Sequence, residues 1–372
     1  MSTTESVIDF GNGQPSLSLL PVDALRVAAD HALAQGDATL LQYGVDPGDE
    51  GFRTSLAQFL TRRYAAPVAP SHLIVSAGIS QALDLVCTRF TRPGDTIFVE
   101  EPTYFLALDI FRDHGLRVVG IPIDDDGLRI DALRIALTQH RAALLYTIPS
   151  FQNPSGATMS AERREELITL SREHELLVVA DEVYQLLDFG AAPPPPLATY
   201  AGADRVLSLG SFSKICAPGL RLGWIHGAPP LLDTLTQSGV VQSGGGLNPF
   251  AAGVVKSLID VGLADTVLNT LRRAHSTRAV ALSDALRTQL PHTTFVEPRG
   301  GYFVWLQFPS SVSAEKLLIT ATQHGVTFHP GTRFVCGGAF PHSARLSFAH
   351  YNADELVEGV RRLALAITVR HA

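Results

Sequence analysis

Lys214 is preceded by two hydroxyls and followed seven residues later by an arginine, in the run Ser208-Leu209-Gly210-Ser211-Phe212-Ser213-Lys214-Ile215-Cys216-Ala217-Pro218-Gly219-Leu220-Arg221. The apolar stretch Val206 to Leu209 reads as a buried strand. Open α/β sheets bind ligands in the crevice beyond the carboxyl ends of their strands, so a lysine here points toward such a crevice. An amine in that place can form an imine with a carbonyl compound, and Ser211, Ser213 and Arg221 suit a phosphate beside it. Of the 29 basic side chains only Lys214, Lys256 and Lys316 are lysines, and the last two fall in amphipathic helix patterns. A surface lysine in a Gly/Ser loop is the competing reading.

Four further places carry polar groups, three of them at the ends of apolar runs. Asp181 closes the run Glu175 to Ala180, where it is either an acid at the rim of a sheet or a helix N-cap. Asn153 stands in Asn153-Pro154-Ser155-Gly156, whose rigid turn either aims the amide or is a plain turn. Gly78-Ile79-Ser80-Gln81 joins a strand to a helix start, and backbone N–H groups there can hold a phosphate. Arg345 lies in Ser343-Ala344-Arg345-Leu346-Ser347-Phe348, an alternation that suits a half-buried strand and either a bound anion or a structural ion pair.

The elements that must position these residues alternate between short apolar runs and helical patterns, which predicts a parallel α/β core. Expected strands are 73–76, 96–99, 117–121, 142–147, 176–180, 206–209 and 221–225. Expected helices include 80–90, where Leu83, Val86, Cys87 and Phe90 share one face, and 161–173. The ends differ. One helix, 23–35, follows the Gly/Pro-rich Phe10-Gly11-Asn12-Gly13-Gln14-Pro15, and the chain from about Leu286 alternates strands with helices. The expected fold is a three-layer, mostly parallel central sheet over 46–285, with a smaller α+β domain built from 1–45 and 286–372.

A chain of 372 residues, 46% hydrophobic and 17% charged, with net charge −7, suits a well-buried protein and offers no basic stripe for nucleic acid. No apolar run spans a bilayer, and Met1 to Ser6 lack a signal-peptide layout. Cys87, Cys216 and Cys336 lack metal-ligand spacing and suit a reducing cytoplasm; no metal is expected.

Taken together, these motifs resemble the class I/II aminotransferases of fold type I that carry pyridoxal phosphate (PLP), and within them the 2-aminoadipate/kynurenine-type branch. The resemblance spans Gly13 to Phe348. It implies a transaminase exchanging an amino group between an amino acid and a 2-oxo acid, with PLP held as an aldimine on Lys214. It implies that Asp181 pairs with the ring nitrogen, that Tyr184 and Asn153 meet the ring hydroxyl, and that Tyr104 stacks on the ring. Ser211, Ser213, Arg221 and the Gly78, Ile79, Ser80, Gln81 turn would hold the phosphate. Arg345 would bind the substrate α-carboxylate, with Asn153 and the Gly13 backbone beside it. Tyr43 would reach the neighbouring subunit's phosphate, which implies a homodimer. Leu19, Leu20, Tyr302 and Phe303 suggest an apolar side-chain pocket or core packing.

The same scaffold supports β-lyases, decarboxylases and enzymes of specialised metabolism, since fold does not fix reaction. The Gly244-Gly245-Gly246-Leu247-Asn248-Pro249 stretch and Cys216 depart from the common pattern. Transcription regulators that fuse this domain behind a helix-turn-helix are a further alternative; the family's glycine start at Gly13 leaves no room for that module.

Overall fold

The computed structural model describes residues 7–244, 248–337 and 339–368. Its centre is an eight-stranded sheet in the spatial order Leu73–Ser76, Gly223–Gly227, Val206–Ser211, Leu177–Asp181, Ala142–Thr147, Thr96–Glu101, Arg117–Asp124, Gly127–Leu128. Most of these strands are fully buried and read as continuous apolar runs, as sheets covered on both faces require. Helices such as Ile79–Phe90, Phe105–Asp113 and Ala161–Glu173 cross between them.

The strands from Val206–Ser211 across to Arg117–Asp124 run parallel. The strand after Arg221 does not: Gly223–Gly227 lies antiparallel to both neighbours. It also begins two residues later than its apolar pattern suggests, because Pro218–Leu220 forms a 3-10 turn and Arg221 takes a left-handed conformation, φ 46°. That reversal lets a short connection bring the Arg221 turn back beside Lys214. Trp224 packs flat against Gly210, where a Cβ would lie 2.0 Å from the indole, so only glycine fits.

A smaller three-stranded antiparallel sheet joins Phe303–Gln307, Ser343–Ser347 and His329–Pro330. Its core contains Val304, Leu306, Phe328, Leu346, Leu356 and Leu363. Ile8 and Phe10 enter this core, and Ile8–Asp9 pairs with Val326–Thr327. The helix Val22–Ala34 instead packs on Pro249–Asp260, with Ala28 in the large core. Residues 7–45 therefore divide between the two cores instead of joining the small one whole. At the other junction, the helix Leu263–Gln289 runs through both: Val267 and Leu271 belong to the large core, Leu282 and Leu286 to the small one. No helix among the described residues is long and apolar enough to cross a membrane.

Candidate active site

Parallel strands place their carboxyl ends on one edge. Ser76, Glu101, Thr147, Asp181 and Ser211 end there, and the segments that follow them line a cavity of about 630 Å³, closed from the other side by Gly11–Gln14, Phe303, His329 and Arg345. Groups far apart in sequence meet because the sheet stacks their strand ends together.

Lys214 sits on a single helical turn, Phe212–Ile215, just past its strand, and not in an open loop. Its Nζ donates to the Gly13 carbonyl at 2.8 Å and lies 5.2 Å from the centre of the Tyr302 ring. Burial, with help from Arg345, lowers its pKa to about 8, against the pull of Asp181. A buried amine with a depressed pKa is a better nucleophile and base near neutrality than a surface lysine.

Asp181 is no helix cap: its Oδ1 accepts from the Val183 N–H at 3.3 Å in a turn, and Oδ2 accepts from the Tyr146 hydroxyl at 2.8 Å. Burial raises its pKa to about 6. Tyr104 borders the same space, its pKa pushed to about 12 by burial and then by Asp181. Tyr184 is buried 5.5 Å from Tyr302, and its hydroxyl has no hydrogen-bond partner among the described residues.

Arg345 stacks on Phe303, 4.0 Å from the ring centre. Its Nη1 donates to Asn153 Oδ1 at 3.0 Å and its Nη2 to the Gly11 carbonyl at 2.9 Å, while Nε is buried without a partner. No carboxylate within the described residues pairs with it. Burial brings its pKa down to about 10, which keeps it charged at neutral pH. Asn153 is itself held by a buried acid. Glu100 accepts from Thr147 Oγ1, the Ile148 N–H and Gln152 Nε2, and so fixes the loop that carries the asparagine.

Across the cavity, Ser211 Oγ, Ser213 and the Arg221 guanidinium gather near the start of Ile79–Phe90, which no side chain caps. A Cβ on Gly78, whose φ is 88°, would meet the Arg221 guanidinium at 2.9 Å. Gly78 and Gln81 do not line the cavity: Gln81 Oε1 folds back onto the Ala77 N–H at 3.1 Å and braces the turn. Tyr43 lies away from the cavity, 79% exposed, beside Gly244. Gly245, Gly246 and Leu247 lie outside the described residues. Leu19 and Leu20 pack on the large core, whereas Phe303 does line the cavity. Tyr302 and Cys216 are buried in the large core and do not line it, whereas Gly13, Ile79, Ser80, Tyr104, Asn153, Asp181, Tyr184, Ser211, Ser213, Lys214, Arg221 and Arg345 do.

Sequence reasoning missed Tyr146 and Glu100. Each is a polar residue inside an apolar strand, which was a usable signal, since a buried polar group needs a partner. His329 gave no such signal.

The donor set fits PLP. A buried acid without a cationic partner faces a buried amine, a free phenol lies beside an amide, and two hydroxyls, an arginine and an uncapped helix start form an anion cradle. This fold and cavity define an enzyme of amino-group transfer that uses pyridoxal phosphate. The model of the aminotransferase class I and II family matches residues 5–363, and the chain belongs to that family. It is 32% identical to aromatic-amino-acid aminotransferase 1 of Thermococcus litoralis, over 98% of this chain and 88% of that protein. It is 34% identical to a 2-aminoadipate transaminase of Thermus thermophilus, over 97% of this chain and 90% of the relative. The structure of a Pyrococcus horikoshii kynurenine aminotransferase, in complex with PMP, KYN as substrates and KYA as products, superposes with a TM-score of 0.92 at 30% identity, covering 99% of this chain and 92% of that one. The protein is a PLP-dependent aminotransferase acting on an amino acid and a 2-oxo acid.

Proposed function

We propose that Lys214 carries the cofactor and then serves as the acid–base group of transamination. The observation that carries this reading is the meeting of Lys214, Asp181, Tyr184, Asn153 and Arg345 around one cavity. PLP supplies an aldehyde for the substrate amine and a ring that accepts the electron pair released at Cα. Asp181 would keep the ring nitrogen protonated, with its carboxylate steadied by Tyr146. Tyr104 would pack against the ring, and Tyr184 and Asn153 would bind its hydroxyl. Ser211, Ser213, Arg221 and the Ile79–Ser80 backbone would hold the phosphate. Arg345, stiffened by Phe303 and by its bonds to Asn153 and Gly11, takes the α-carboxylate as a planar fork. With that carboxylate fixed, the Lys214 amine removes the proton from the substrate Cα, and its lowered pKa suits it to both directions of transfer.

A homodimer is part of the proposal. Leu17, Val22, Leu41, Tyr43 and Val45 are large apolar side chains left exposed within one N-terminal segment, which supports a partner covering it. Tyr43 would complete the partner's phosphate site. Three free thiols support a cytoplasmic setting. The division into a large cofactor domain and a small domain stays part of this reading, with the N-terminus giving the small one Ile8 and Phe10 and the large one the helix Val22–Ala34.

Mixing the holoenzyme with single amino acids, without an acceptor, tests the reaction type. A transaminase leaves its cofactor in the amine form, with one oxo acid released per site, and a second oxo acid restores the starting spectrum. Release of CO₂ or of the side chain, with the starting spectrum retained, would favour a decarboxylase or lyase instead.

A further inference from the structure

His329 pairs directly with Arg345 across the small antiparallel sheet, so the two side chains leave the same face and stand side by side at the cavity. Arg333, four residues on, brings Nη1 to within 3.1 Å of His329 Nδ1. A guanidinium has only donors, so Nδ1 must accept. The imidazole is then neutral and its one proton is on Nε2. Burial and the two arginines, Arg345 and Arg333, disfavour a second proton. The ring is gripped on both sides: Phe105 meets it edge-on at 5.3 Å, and its Cε1 lies where a Cβ on Gly11 would come within 3.0 Å. Nε2 has no partner among the described residues and is not among the buried polar atoms that lack one. Arg333 also lies over Phe105, 4.4 Å from the ring centre, and pairs with no carboxylate among the described residues.

We propose that His329, held by Arg333 in its Nε2–H form, selects substrates whose side chain carries an acceptor oxygen, with a side-chain carboxylate favoured. The inference rests on the reading of Arg345 as the α-carboxylate anchor: a substrate held there presents its side chain to the donor beside it. The unpaired charge of Arg333 adds attraction for an anion without supplying the contact itself. A dicarboxylic amino acid and its 2-oxo acid match this arrangement better than an aliphatic pair of the same size.

The test compares 2-oxoglutarate with its apolar isostere 5-methyl-2-oxohexanoate as amino acceptors for the holoenzyme. Glutarate and 5-methylhexanoate serve as unreactive ligands in calorimetry. His329→Leu should lower kcat/KM for 2-oxoglutarate by about tenfold or more, the scale of one hydrogen bond to a charged group, and leave the isostere within about twofold. Glutarate affinity should fall in parallel, while His329→Asn, which keeps an N–H, should recover part of both. Arg333→Met should shift the same ratio in the same direction, because Nδ1 is then free to take the proton. An unchanged ratio in both variants overturns the proposal, as does an equal loss for both acceptors. If neither acceptor reacts with the wild type, the glutarate preference in calorimetry still decides the role of His329, and loss of that preference in Arg345→Lys but not in His329→Leu would place the failure in the Arg345 reading.

Discussion

The Tyr146 hydroxyl donates a 2.8 Å hydrogen bond to Oδ2 of Asp181, joining neighbouring strands at the carboxyl edge of the sheet. Both groups are buried, so the bond favours the ionised form of an acid that burial pushes toward its protonated form. Tyr146→Phe should therefore raise the Asp181 pKa further. The expected result is kcat lower by about tenfold, with the pH at which the cofactor spectrum changes moved upward. A spectrophotometric titration of the holoenzyme reads this directly.

Asp181→Asn separates function from stability. Burial brings the folded pKa to about 6, above the ordinary carboxyl value of 3.8, so the folded apoenzyme binds protons more tightly than the unfolded chain. Its ionisation costs stability, by up to about 3 kcal/mol above pH 6, and the cost vanishes as the pH falls toward 4. The apo variant should thus melt no lower than the wild type at pH 7.5, with any advantage shrinking at pH 5. Its transaminase rate should fall by orders of magnitude, because a neutral amide does not hold the ring nitrogen protonated. Thermal scans at both pH values and a rate assay check the two halves.

Lys214→Ala should fold, yet gain no absorbance from lysine-bound cofactor and no turnover. In the wild-type apoenzyme the rate of cofactor capture should rise with pH and level off near pH 8, since only the neutral amine attacks. A capture rate still climbing steeply past pH 9.5 would place the amine in an ordinary, unburied setting.

Arg345→Lys keeps the charge but loses the planar fork stacked on Phe303. A drop of about one to two decades in kcat/KM is expected, at nearly unchanged PLP affinity. Loss of PLP with normal substrate binding would move the α-carboxylate to another group.

Subunit mixing tests the place of Tyr43. If it serves the partner's site, Lys214→Ala and Tyr43→Ala homodimers, each poorly active, should regain activity when exchanged into heterodimers. One of the two sites then carries both native groups. No recovery in a mixture shown to have exchanged would confine Tyr43 to its own subunit.

What the sequence determined was local. Continuous apolar runs ending in Ser211, Asp181 or Thr147 marked buried parallel strands and the edge where chemistry belongs, because a strand buried on both faces has nowhere else to place polar groups. Lys214 stood out by its type in a chain with almost no lysine, and Asn153 by its turn. Tertiary structure decided what each group touches. Gly13 lies 201 residues from Lys214 in sequence, yet its carbonyl accepts the hydrogen bond that the lysine Nζ donates. Tyr146 carries a hydroxyl inside an apolar strand, but its partner is set only when the neighbouring strand brings Asp181 to it. The direction of Gly223–Gly227 could not be read from its apolar pattern, since an inner strand is equally apolar whichever way it runs. His329 carries no spacing in the sequence that marks it as a site residue. Its tautomer and its place beside Arg345 follow from a cross-strand register and one arginine, which the packing of the small sheet alone sets.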